Sequence, residues 1–198
     1  MSPVTLTLIF ANVAVFLLEQ SSPGTLYWLE VNFALWPVGA PAPYPSFQPW
    51  QLVTYAFLHG GFWHIALNMY ALWMFGSDLE RVFGQRRYLL LYFVSVVAAA
   101  LSQLAFAYVA GSDPVPVVGA SGGIFGVLLA FGMYFPRRTI VLLIPPIPMP
   151  AWVFVILYGA IELFMGVTGT QQGVAHFAHL GGMLGALLLI LQWRGKLF

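Results

Sequence analysis

The chain has 198 residues, 61% of them hydrophobic and 7% charged, with a mean hydropathy of +0.88 and a formal net charge of +1. A soluble domain carries roughly a quarter charged residues, so this composition describes an integral membrane protein, and no basic cluster offers a face for nucleic acid. Cysteine is absent, which excludes disulfides and thiolate chemistry.

Six apolar stretches are long enough, at about 17–25 residues, to cross a ~30 Å hydrocarbon core as helices. They run over 3–20, 60–76, 88–110, 118–135, 150–168 and 176–193. The alternation a membrane barrel needs is absent. The predicted fold is therefore an all-α membrane protein, a bundle of six transmembrane helices in a single domain over 1–198. The first stretch has no basic leader and is followed by SSPGT instead of a small-x-small cleavage site, so it reads as a retained helix.

Between the first two stretches, residues 21–59 carry Tyr27, Trp28, Phe33, Trp36, Tyr44, Phe47 and Trp50, interrupted by five prolines between Pro37 and Pro49. Aromatics at this density belong at the headgroup level. A long first outer loop lying in the membrane interface is expected. Farther along, Pro145, Pro146, Pro148 and Pro150 break the chain into a turn before the fifth stretch.

The basic residues supply the orientation. Arg81, Arg86 and Arg87 lie between stretches two and three, Arg137 and Arg138 between four and five, and Arg194 and Lys196 after six, which accounts for every Lys and Arg. The positive-inside rule makes these segments cytoplasmic. Both termini are then cytoplasmic, and 21–59, 111–117 and 169–175 lie outside. A prokaryotic cytoplasmic (inner) membrane is the expected location.

At ~1.5 Å of rise per residue, the same basic residues give depth. Ser121 comes out ~24 Å above the inner boundary, His179 ~22 Å, Asn68 ~20 Å and His64 ~26 Å. Alone, each has a plain structural reading: a serine bonds back to its own helix, and a histidine or asparagine ties helices together. Together, on three helices and at one level, they predict a shared wet cavity, because polar groups in lipid need partners or water.

Residues 119 to 126 read GASGGIFG, which puts Ser121 at the N-terminal end of the fourth helix. Unpaired backbone N–H groups and the positive end of the helix dipole lie there. Gly119, Gly122 and Gly123 let another backbone approach closely. A hydroxyl so placed, beside a histidine base, has what it needs to attack a carbonyl. In AHFAHLGGMLGAL, His176 and His179 share one helix face, with His179 deeper and closer in level to Ser121. His64 and Asn68, four apart, share another face and offer donors to an oxyanion together with the Ser121 N–H. Glu162 is the sole carboxylate deep in a helix; nothing in the sequence ties it to His179, so it reads as a structural hydrogen-bonding group and leaves a Ser-His dyad.

The segments FLHGGFWHIALNMYALWMFG, GASGGIFG and AHFAHLGGMLGAL, in that order, resemble the rhomboid family of intramembrane serine proteases. The resemblance covers the second to sixth stretches. It implies hydrolysis of a peptide bond in or beside a transmembrane helix of a membrane-protein substrate within the lipid bilayer, usually after a small residue. Ser121 matches the nucleophile and His179 the base. His64 and Asn68 match the oxyanion-hole positions, and Phe125 the aromatic that packs on the catalytic imidazole. No cofactor or metal is implied. Two departures stand out: the family's Trp-Arg pair appears as Trp50-Gln51, which puts a loop-positioning contact in question, and the glycine repeat of the last helix appears as Gly182 and Ala186, with Gly181 and Gly185 offset by one.

Four histidines raise a metal enzyme as a rival, but HExxH and cysteine are absent and no carboxylate ligand is evident near them, so no metal is expected. A non-catalytic rhomboid-like protein that binds transmembrane clients is the alternative function. A transporter would want broken helices in matched halves, and no such symmetry is present. Residues 167–175 are expected to cap the cavity.

Overall fold

The computed structural model describes residues 2–111, 114–141, 145–170 and 174–195. All six apolar stretches are helical. Helix α1 covers Pro3–Glu19, with proline in its first turn, where a missing N–H costs nothing. Its remaining free N–H groups are met from elsewhere in the chain: Glu80 accepts from Val4 N at 2.9 Å and from Thr5 N and Oγ1, both at 2.8 Å.

The outer segment holds more regular structure than predicted. Helix α2 (Pro23–Phe33) starts at Ser22, whose side chain accepts from Thr25 N. Serine before proline is a helix-start signal that the sequence carried and the aromatic content obscured. Tyr27 and Trp28 of this helix are exposed. A short α3 (Gln51–Thr54) follows. Buried Gln51 makes the contact that its departure from Arg had put in question: its Oε1 accepts from Trp36 N and Gln48 N, both at 3.2 Å, while Trp50 Nε1 donates to Asn32 O at 2.9 Å. A carboxamide holds the loop without a charge.

Helix α4 (Phe62–Ala71) passes through a π turn at Leu72–Gly76 into α5 (Ser77–Ala110). The break between stretches two and three falls at Gly84, whose φ of 74° and ψ of 165° interrupt the helix; side chains avoid that region and glycine does not. Helix α6 covers Ser121–Tyr134. Strands β1 (Thr139–Val141) and β2 (Pro148–Pro150) form a two-stranded antiparallel ribbon in the proline-rich turn, a small addition to the predicted all-helical fold. Helices α7 (Ala151–Thr168) and α8 (His176–Trp193) complete the order. The predicted cap at 167–175 includes 171–173, which lie outside the described residues.

The span Phe62–Ala110 and helices α7 and α8 are long and apolar enough to cross a membrane, whereas α1 and α6 are shorter apolar helices. The 14 residues of α6 amount to only ~21 Å of rise, short of a ~30 Å core. The difference lies at its start: the chain is extended through Val117, which pairs with Leu35, and turns at Gly119 before the helix begins at Ser121. Ser121 thereby begins its helix two residues after the Gly119 turn.

The most extensive contact is between α5 and α8, and α6 packs on both. Both small-residue stripes of α8 are used, each on a different neighbour. A Cβ on Gly182 would run into the carbonyl of Gly122 in α6, while one on Gly185 would lie 2.5 Å from Ala98 Cβ in α5. The apparent one-residue offset is thus two interfaces at once. At the basic end, Arg138 and Arg81 both pair with Asp78 at 2.9 Å, and Arg194 lies 4.8 Å from the centre of the Tyr134 ring. The three arginine-bearing segments therefore share one end of the molecule.

Candidate active site

Ser121 is the first residue of α6, and its side chain does not cap its own helix. Instead its Oγ lies 2.8 Å from His179 Nε2, on the first turn of α8. The crossing of α6 and α8 at Gly122 and Gly182 sits one residue after Ser121 and three after His179. Close backbone approach there makes the side-chain contact possible. One turn into α6, Phe125 lies flat on the imidazole, ring centroids 4.2 Å apart and planes within 8°. The predicted stack is present.

His64, on the first turn of α4, flanks Gly119. A Cβ on Gly119, whose φ is 125°, would lie 2.7 Å from His64 Nε2 and 3.7 Å from Ser121 Oγ. A side chain here would be strained and would also fill the space beside the serine. His64 Nδ1 accepts from Gly60 N at 3.3 Å, which leaves the ring proton on Nε2, the nitrogen beside Gly119. Asn68 is buried, and its Nδ2 donates to the His64 carbonyl at 2.8 Å. Asn68 thus binds within its own helix, one turn from His64.

The sequence reading left His179 with no carboxylate; the folded chain supplies one. Glu162 Oε2 lies 2.6 Å from His176 Nδ1 and 2.9 Å from His179 Nδ1. The contact to His176 is a hydrogen bond, whereas His179 Nδ1 approaches at an angle that makes none. All three residues are buried. The expectation that no carboxylate stands near the histidines is therefore corrected. Its cause is tertiary: Glu162 is 17 residues from His179 on a different helix, and only the packing of α7 on α8 brings them together. The one advance signal was an acidic residue deep in an apolar helix.

A carboxylate accepts and does not donate, so His176 Nδ1 carries the proton of its bond to Glu162, and the carboxylate 2.9 Å from His179 Nδ1 favours the tautomer with the proton on that nitrogen. In a neutral imidazole that leaves His179 Nε2 as an acceptor for the Ser121 hydroxyl. The first N–H groups of α6 have no intrahelical acceptor, and the series starts at Ser121 itself. An activated hydroxyl beside free N–H donors can carry out acyl transfer.

Residues 46–194 match a family model described as the Rhomboid domain. The chain is 38% identical to "Rhomboid protein 1, mitochondrial" of Saccharomyces cerevisiae, over 69% of this chain and 40% of that protein. It is 30% identical to "Rhomboid protease GluP" of Bacillus subtilis, over 69% of this chain and 24% of that protein. Similarity to "Rhomboid protease AarA" of Providencia stuartii extends over 94% of this chain and 71% of that protein, at 30% identity. The chain spans less than half the length of the yeast and Bacillus relatives. With its apolar helices and a domain match over most of its length, the chain belongs to the rhomboid family of membrane proteins.

Proposed function

We propose that this protein is an intramembrane serine endopeptidase that hydrolyses peptide bonds in or near the transmembrane helices of membrane-protein substrates. The 2.8 Å contact between Ser121 Oγ and His179 Nε2 carries the reading. Family membership and relatives named as proteases support it.

His179 Nε2 takes the Ser121 proton as Oγ attacks the substrate carbonyl carbon. The carbonyl oxygen becomes an oxyanion, which the Ser121 N–H, His64 Nε2–H and Asn68 side chain receive. Asn68 must release the His64 carbonyl to take part. Protonated His179 then gives its proton to the leaving amine, the C–N bond breaks, and an acyl-serine remains. Water attacks this ester with His179 again as base, releasing the acid and restoring Ser121. Phe125 holds the imidazole plane, and Glu162 holds the Nδ1 tautomer, so the pair works as a carboxylate-assisted dyad. His176 holds Glu162. The basic end faces the cytoplasm, the chain crosses the bilayer six times as one domain, and the site opens outward.

The test is cleavage of a single-span substrate by purified protein in detergent, with chelator present. Wild type is expected to cut and Ser121→Ala to lose at least a thousandfold in rate. Cleavage by both would remove Ser121 as nucleophile. Cleavage by neither, with client still bound, would favour the non-catalytic rhomboid-like alternative.

A further inference from the structure

Glu162 is buried, and all seven Lys and Arg residues belong to the segments 81–87, 137–138 and 194–196. Arg194, on the same helix as His179, lies 15 residues away, or ~22 Å of rise. The positive charge that a buried carboxylate needs must come from what faces it. His176 Nδ1 and His179 Nδ1 face it at 2.6 and 2.9 Å, and one ring nitrogen of each histidine and a Glu162 oxygen all lie within 4.8 Å of one another. Protons on these nitrogens satisfy only part of this group: His179 Nδ1 and His176 Nε2 are buried without a hydrogen-bond partner among the described residues.

Two imidazole nitrogens and one carboxylate oxygen form a donor set suited to zinc and its neighbours. The two histidines, three apart, present these nitrogens from one face of α8, and Glu162 approaches from α7. Bonds of ~2.0–2.2 Å in a tetrahedron separate donor atoms by about 3.3 Å. The observed 2.6 and 2.9 Å therefore need to widen by roughly 0.4–0.8 Å, within the reach of side-chain adjustment.

We propose that Glu162, His176 and His179 bind a divalent transition-metal ion of the zinc type, and that the bound ion silences the Ser121–His179 pair. Ligation uses the lone pair of His179 Nδ1, so the ring's single proton resides on Nε2. Nε2 then donates to Ser121 Oγ and cannot take its proton. The silencing half rests on the protease reading; the binding half does not.

Binding is measured in the Ser121→Ala protein in detergent, titrated with Co2+ alone and followed by the visible absorption of tetrahedral Co2+. One saturable ion per chain, displaced by Zn2+, is expected. Glu162→Gln or His176→Gln in the same background should weaken it at least tenfold, with near-UV circular dichroism showing that each variant is folded. No saturable band, or a band that survives both substitutions, overturns the site. In the Ser121-containing protein, Zn2+ should lower cleavage at least tenfold and a chelator should restore it. Cleavage unaffected by Zn2+ at saturation, or abolished by chelator, overturns the silencing.

Discussion

Glu162 Oε2 stands 2.9 Å from His179 Nδ1 without forming a directed hydrogen bond, while the same oxygen is bonded to His176 at 2.6 Å. In the proposed mechanism, charge and tautomer control reach His179, while alignment is left to packing. Where a carboxylate makes a full bond to the catalytic histidine, neutralising it costs ~10⁴ in kcat. Glu162→Gln is expected to cost less, about 10- to 100-fold, in kcat with KM unchanged. A loss of about 10⁴ would mean that the bond to His179 forms fully during turnover.

Phe125 supplies the alignment. Its ring lies within 8° of the His179 plane at 4.2 Å, an aromatic pair worth about 0.5–1.5 kcal/mol beyond area. Phe125→Leu should therefore lower kcat several-fold, and Phe125→Tyr should stay near wild type, since tyrosine keeps the ring face that stacks on the imidazole. Equal loss in both, measured by cleavage, would show that the stack is incidental.

Gly182 sets the distance between α6 and α8. A methyl there meets the Gly122 backbone, which no rotamer relieves. Gly182→Ala is expected to cost about 1–3 kcal/mol, read as a lower unfolding temperature in detergent, and to weaken cleavage by parting Ser121 from His179. Gly24→Ala, whose new methyl meets only Ser22 Oγ at 3.8 Å, should be neutral or stabilising by ~0.5–1 kcal/mol.

Glu80 ties α1 to the remainder of the bundle through three donors of Val4 and Thr5. Glu80→Ala leaves a buried helix start unsatisfied, with a cost of about 3 kcal/mol. Glu80→Gln keeps one accepting oxygen and should lose about half as much. Thermal unfolding of the two variants checks the order.

Apolar length determined the helices, and depth and helix spacing singled out Ser121, His179 and His64, because both are local or near-local properties of the chain; Phe125 was implied by the family resemblance. Four groups at one depth were legible because rise per residue converts sequence distance to height. Direction around a helix against an unknown neighbour is not so convertible. That is why Glu162 seemed detached from the histidines, although it touches both. The same limit hid the use of both α8 stripes, Gly182 against α6 and Gly185 against α5. Asn68, expected to offer its side chain to an oxyanion, is engaged in the folded protein with the His64 carbonyl. The sequence by itself determined a polytopic helical protein with a serine and a histidine at one level. The crossing of α6 and α8 brought those two to 2.8 Å, and the packing of α7 on α8 added the carboxylate, since both depend on how separate helices turn their faces toward one another.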